Sequence, residues 1–211
     1  MISKSTQRFV FIVSFLALSA CSTQTLAPPL DYYKEKKITA PAGSDFTHCS
    51  QYGCKRLTPL TLSLQDWAGI ETAFGPPAMS AAEEREKIKQ TIGYFERLIG
   101  PRTGTETDIA GTFRRIGQGQ LDCVDESTNT TSYLLLLQNR GLLKFHTVSS
   151  PDTRFPIIHA GRWPHQTAVM TDRETQTAYA VDSWFHDNGQ PAEIVTLESW
   201  KEGWKPDSKF R

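Results

Sequence analysis

The chain has 211 residues, 38 % of them hydrophobic, 22 % charged and 10 % aromatic, and its 23 Lys and Arg are balanced by 23 Asp and Glu. This composition excludes a wholly disordered, collagen-like or polytopic membrane protein. With zero net charge and the two signs mixed along the chain, there is no basic field to hold a polyanion, and nucleic acid is not expected as a partner.

Lys4 and Arg8 precede an apolar run from Phe9 to Ala20, shorter than the roughly 20 residues a helix needs to cross a bilayer. Residues 1–20 therefore read as an export signal. The run ends Leu18-Ser19-Ala20-Cys21, which resembles the lipobox of bacterial lipoproteins. That resemblance implies that Cys21 carries palmitate-like acyl chains and becomes the new N-terminus. At about 0.8 kcal/mol per buried CH₂, such chains hold an otherwise soluble domain on a membrane. Ser22 in place of Asp after the cysteine implies, by the enterobacterial sorting rule, a periplasmic position on the outer membrane. Without Lys4 and Arg8 the 23 basic residues fall to 21 against 23 acidic, a net charge of about −2. Residues 21–42, with Pro28-Pro29 and Pro41, lack apolar periodicity and read as a flexible tether. A single domain over 43–211 remains.

Cys49 and Cys54 enclose a short loop containing Gly53, and in an exported chain such a pair is expected to close as a disulfide. The competing reading, a zinc knuckle with His48, lacks a second pair of ligands at suitable spacing. Cys123 is then left over, as a buried inert thiol, an intermolecular bridge or a reactive group.

Residues 60–140 read as helical. Leu60 to Phe74 is a helix ended by Gly75-Pro76-Pro77. A second starts at the capping-box pattern Ser80-Ala81-Ala82-Glu83, places Ile88, Ile92, Phe95 and Ile99 on one face, and stops at Gly100-Pro101. Its early Glu83, Glu84 and Glu86 suit the positive end of the helix dipole and form a solvated face. Arg102 to Gly119 reads as loop. Asp122 to Asn139 is a third helix with Gly141 as C-cap, although Ser127 to Ser132 has poor intrinsic propensity and needs tertiary packing to hold it. Strand-like runs follow over 143–200: Leu143 to Val148, His165 to Thr171, Ala178 to Trp184 and Ala192 to Leu197. Helices followed by strands predict an α+β fold, with N-terminal helices packed on a C-terminal antiparallel sheet.

The chemistry concentrates after Gln118. Cys123 stands at a helix start, where unpaired N–H groups and the dipole favour a thiolate. If the turn from Asp172 to Gln176 folds the flanking runs into a hairpin, pairing Asp172 with Thr175 sets His165 opposite Asp182, and pairing it with Thr177 makes them diagonal neighbours. Both registers put the two side chains on one face. A thiol, an imidazole and a carboxylate so ordered form an activated-nucleophile triad. Gln118 or Gln120 is the candidate amide donor to an oxyanion, beside the backbone N–H of the cysteine. Trp163 and Trp184 are candidate groove walls. His146, His159 and His186 read as surface or satisfied polar groups.

The segment Asp122-Cys123-Val124-Asp125, a His opening a strand about forty residues later and an Asp in the next strand resemble the bacterial transglutaminase-like cysteine proteinases, which have a papain-like fold. The resemblance spans Gln118 to Trp184. It implies Cys123 as nucleophile, His165 as general base and then acid, and Asp182 as its orienter. Val124 replaces the Glu of the motif, and Glu126 stands where an aromatic is often found. Calcium beside the cysteine in some members implies a site near Asp122 and Asp125, here with one acidic residue of the motif missing. Cell-wall peptidases that open on Asp-Cys are also similar, but they continue Ser-Gly, which this chain lacks. The function expected is that of a lipid-anchored envelope thiol hydrolase or acyltransferase acting on amides of a protein or peptide substrate. The alternative is a catalytically inactive transglutaminase-like module that binds a peptide or an envelope partner.

Overall fold

In chain order the elements are α1 (Pro29–Lys36), β1 (Asp45–Ser50), β2 (Arg56–Thr61), α2 (Leu64–Phe74), α3 (Ala81–Thr103), α4 (Cys123–Asn139), β3 (His146–Arg154), β4 (His165–Asp172), β5 (Ala178–Asp182), β6 (Glu193–Thr196) and α5 (Leu197–Lys201). They come from a computed structural model that describes residues 29–112, 117–155 and 164–207. Residues 1–20, Cys21, His159 and Trp163 lie outside the described residues. The mixed α+β class is as expected: β3, β4, β5 and β6 form an antiparallel sheet in that order, and β1 pairs with β2 in a separate hairpin. Helix α4 lies at the centre, packed on the sheet, on β1 and on α3.

The predicted helical face is the core. Ile88, Ile92, Phe95 and Ile99 of α3 are fully buried with Leu134, Leu136 and Leu137 of α4, and Phe95 stacks on Tyr133 at 4.6 Å between ring centroids. At roughly 1.5–3 kcal/mol for each such side chain removed from water, this seam is the main apolar contribution to α4. Val169, Ala180, Leu197 and Trp200 make a smaller cluster in which α5 covers the other face of the sheet.

The hydroxyl-rich half of α4 is held by tertiary contacts, as its poor propensity requires. Thr128, Thr131 and Ser132 bond back to carbonyls one turn earlier, and the hydroxyls of Tyr32 and Tyr33 meet Thr128 and Ser132 at 2.7 Å each. Those tyrosines correct the tether reading from residue 29 onward, residues 21–28 lying outside the described residues. Residues 29–36 form a helix whose Tyr32 and Tyr33 are buried, followed by buried Ile38. The aromatic pair reaches α4, and helical periodicity is too short here to announce itself.

Three boundaries also move. The run from Leu60 starts as strand, and α2 begins only at Leu64, where Ser63 and Asp66 form a reciprocal capping box. At α3 only half of the predicted box is present: Ser80 accepts from the Glu83 N–H, while Glu83 accepts from Met79. Helix α3 runs through Pro101 to Thr103, because a proline one turn from the end removes a single intrahelical bond; Gly104, at φ 74°, is the cap. Gly141 closes α4 as expected, at φ 78°, with its N–H on Gln138 and that of Leu142 on Leu137.

Candidate functional site

Cys123 is the first residue of α4, and bonds on both sides hold it there. Asp122 caps the helix by accepting from the N–H groups of Val124 and Asp125 at 3.1 and 2.9 Å. Upstream, Asp108 accepts from the Leu121 N–H at 2.7 Å. Gly119 sits at φ 80°, and a Cβ there would run into the Gly104 carbonyl, so only glycine allows the chain to turn into the helix at this point.

Cys49 and Cys54 are disulfide-bonded, as expected, which removes both sulfurs from any zinc knuckle. His48 is buried, its pKa pushed down to about 4 by desolvation. The disulfide loop is tied to the Cys123 helix: Tyr52 and Cys54 donate their N–H groups to Asp125 at 2.7 and 2.6 Å. The Asn129 side chain pairs with both the N–H and the carbonyl of Cys49. Asp122 and Asp125 are thus committed to backbone N–H groups of the cap and the loop. Among the described residues no group of three or more His, Cys, Asp or Glu is placed to hold a metal.

The β4–β5 hairpin adopts the second predicted register. The Asp172 N–H bonds to the Thr177 carbonyl and Ala168 pairs with Val181, which makes His165 and Asp182 diagonal neighbours. Their side chains meet at 2.7 Å between Nε2 and Oδ2. The same oxygen accepts from the Trp200 Nε1–H at 2.8 Å. A carboxylate oxygen accepting there places the imidazole proton on Nε2. Nδ1 is then a bare lone pair, and it is buried with no partner among the described residues. The backbone N–H of Gln166, next after His165, hydrogen-bonds the Cys123 thiol, and Asp182 acts on that thiol through its charge. The fold therefore pairs His165 with Asp182 and sets the strand that carries His165 against Cys123.

The electrostatics overturn one expectation. Burial, reinforced by the charges of Asp122 and Asp182, pushes the Cys123 thiol up to about 12 against the opposing pull of the Gln166 N–H and its own N–H. The helix terminus loses to desolvation. Cys123 is held as a thiol, so any attack by its sulfur requires the proton to leave. Ultraviolet titration of thiolate absorbance in the folded protein should accordingly show no ionisation near the free-thiol value of about 8.5. Because the unfolded chain ionises first, this group's contribution to stability is full below that value and is lost as pH rises through it towards about 12. A thiolate already formed at neutral pH would contradict the assignment.

Several residues with no sequence signal complete the site. Trp200 lies beyond β6, yet its ring packs 5.4 Å from His165 while its N–H orients Asp182. Arg154, paired with His165 across β3 and β4, is a buried cation held by the carbonyls of Trp200 and Trp204 at 2.6 and 2.9 Å. It lies close enough to act electrostatically with Asp182 and Cys123. Trp184, read as a groove wall, is buried, packs 4.5 Å from His165 and donates its N–H to the Thr112 carbonyl. Of the glutamines, Gln120 is engaged elsewhere, donating to the Thr107 carbonyl and accepting from Ile109 N–H and Thr112. The oxyanion role read for it gives way to a role in holding the 107–112 loop. Gln118 is exposed on the wall of a cavity of about 550 Å³ that also touches Tyr52, Arg56 and Thr105. His146 is satisfied by Glu84 at 2.8 Å and His186 by Glu193 at 2.8 Å.

No protein-family model matches this chain, and no curated protein or solved structure is similar enough to be matched to it.

Proposed function

We propose that the protein is a papain-like, transglutaminase-like thiol hydrolase or acyltransferase that cleaves or exchanges amide bonds, held at the cell envelope through a lipid on Cys21. The observation that carries this reading is the contact of His165 Nε2 with the Asp182 oxygen that also accepts from Trp200. Asp182 and Trp200 fix the proton on Nε2, leaving the buried Nδ1 lone pair as base beside the nucleophile's helix. Nδ1 takes the thiol proton as Sγ of Cys123 attacks the substrate carbonyl carbon. The oxyanion is met by the N–H of Cys123 and the Gln118 amide. The tetrahedral adduct collapses to a thioester, and the imidazolium gives its proton to the leaving amine. Water or an acceptor amine then attacks the thioester, losing its proton to Nδ1. An acid or a new amide leaves, and the thiol is restored.

The neutral resting thiol favours a second reading, a non-catalytic module of the same fold that binds a peptide. One experiment separates the two. Envelope proteins are incubated with the wild-type protein or with Cys123→Ala and analysed by mass spectrometry for new N-termini and new isopeptide links. New N-termini that depend on Cys123 support hydrolysis, and links that depend on it support transfer. Identical products with both proteins would overturn the enzymatic reading in favour of the module.

A further inference from the structure

Beneath the site lies a group of carboxyls that this reaction does not use. Glu96 of α3, Asp108 of the following loop and Glu126 of the first turn of α4 are all buried. The Asp108 and Glu126 carboxyls lie close enough to shift each other's titration, and two carboxyls bond to each other only with a proton between them. Asp108 gives one oxygen to the Leu121 N–H, leaving the second for Glu126. Glu126 accepts from the Ser183 hydroxyl at 2.6 Å, and that hydroxyl also meets Thr130 of α4 at 3.0 Å. Glu96 accepts from the Gly189 N–H at 2.7 Å. Its other oxygen has no partner among the described residues, nor has His48 Nε2; both residues line a small pocket with Asn129 and Tyr133.

The bonds radiating from this group reach the segments that carry the triad. Leu121 lies two residues before Cys123, Ser183 follows Asp182, and Gly189 belongs to the loop after Trp184. The ionisable groups facing it are Asp122, the cap of α4, Asp125 and Tyr133 from α4, Asp182 from β5 and neutral His48 from β1. The three carboxyls of the group cannot all ionise beside these neighbours in a water-poor interior.

We propose that Asp108, Glu126 and Glu96 form a proton-loaded clasp: with Asp108 and Glu126 sharing a proton and Glu96 keeping its own, they draw the Cys123 helix, the end of the Asp182 strand and the 187–190 loop together, and losing these protons at alkaline pH uncouples Cys123 from His165. The proposal concerns assembly of the site and stands whatever bond the site acts on. Desolvation and the neighbouring carboxylates hold all three groups protonated above the ordinary carboxylate range. The unfolded chain releases those protons first, so stability is greatest in acid and falls as pH rises from the ordinary carboxylate range through the raised values.

Asp108→Asn tests this in the full chain. The amide keeps an oxygen for Leu121 and offers Glu126 an N–H that does not titrate. Its melting temperature should match wild type at about pH 5 and exceed it by roughly 2–4 °C at about pH 9. Iodoacetamide labelling of Cys123 should keep its dependence on His165 to higher pH in the variant. Equal destabilisation at both pH values would mean that Asp108 acts as a charged acceptor, and the clasp would be refuted. Carboxyl-carbon NMR of the wild-type protein decides the matter without a variant: resonances of Asp108, Glu126 and Glu96 still protonated at neutral pH support the clasp, and ordinary carboxylate titration overturns it.

Discussion

Cys123→Ser and His165→Ala should each lower amide turnover by roughly 10³-fold or more, the scale for removing a nucleophile or its base, and combining them should lose little beyond either alone. Both changes act on one step. Without Nδ1 the Cys123 proton has no acceptor, and without the thiol the imidazole has nothing to activate. Cys123 is only half-buried, so serine should leave the fold intact. Removing His165 leaves the Trp200 N–H still on Asp182. Kinetics with a peptide found by the envelope experiment, with melting curves alongside, check the prediction; activity surviving in either single variant would remove that residue from the reaction.

The second large effect lies at Asp182. Asp182→Ala should reduce turnover by two to three orders of magnitude and should also destabilise the fold, because it strips the acceptor from two buried donors, His165 Nε2–H and Trp200 Nε1–H. Asp182→Asn should be much milder. An asparagine can offer the imidazole either its oxygen or its NH₂, and only the oxygen preserves Nδ1 as the base. Trp200 can only donate, so it holds the amide oxygen towards both rings. Trp200→Phe removes that constraint, and Asp182→Asn/Trp200→Phe should be more than additive in kcat, the sign of a tautomer lost and not merely of a weakened contact. Additive effects in this cycle would assign Trp200 to packing alone.

How much of this was legible follows from which forces are local. The α3 face and the β4–β5 hairpin could be read because 3.6- and 2-residue periods are written in adjacent residues, and the period alone put His165 and Asp182 on one face in either register. The register itself was set by the turn, where Asp172 accepts from Glu174 and Thr175. Docking of α1 was hidden because its evidence is a contact between Tyr33 and Ser132, nearly a hundred residues apart. Trp200 and Arg154 were hidden for the same reason, since each acquires its role only when α5 folds over the sheet. The thiol was misjudged because the local helix terminus was legible, whereas the surrounding burial was not. Gln120 failed similarly: proximity in sequence to Cys123 says nothing about which carbonyl its amide will find.

The most direct measurement compares the rate of iodoacetamide alkylation of Cys123 in the wild-type protein with that in His165→Ala, at about pH 7. With the thiol held up to about 12 by its surroundings, fast reaction requires the imidazole to take the proton, and wild type should exceed the variant by on the order of 10². Equal rates would show that His165 does not serve Cys123, and would contradict the triad on which the proposed chemistry rests.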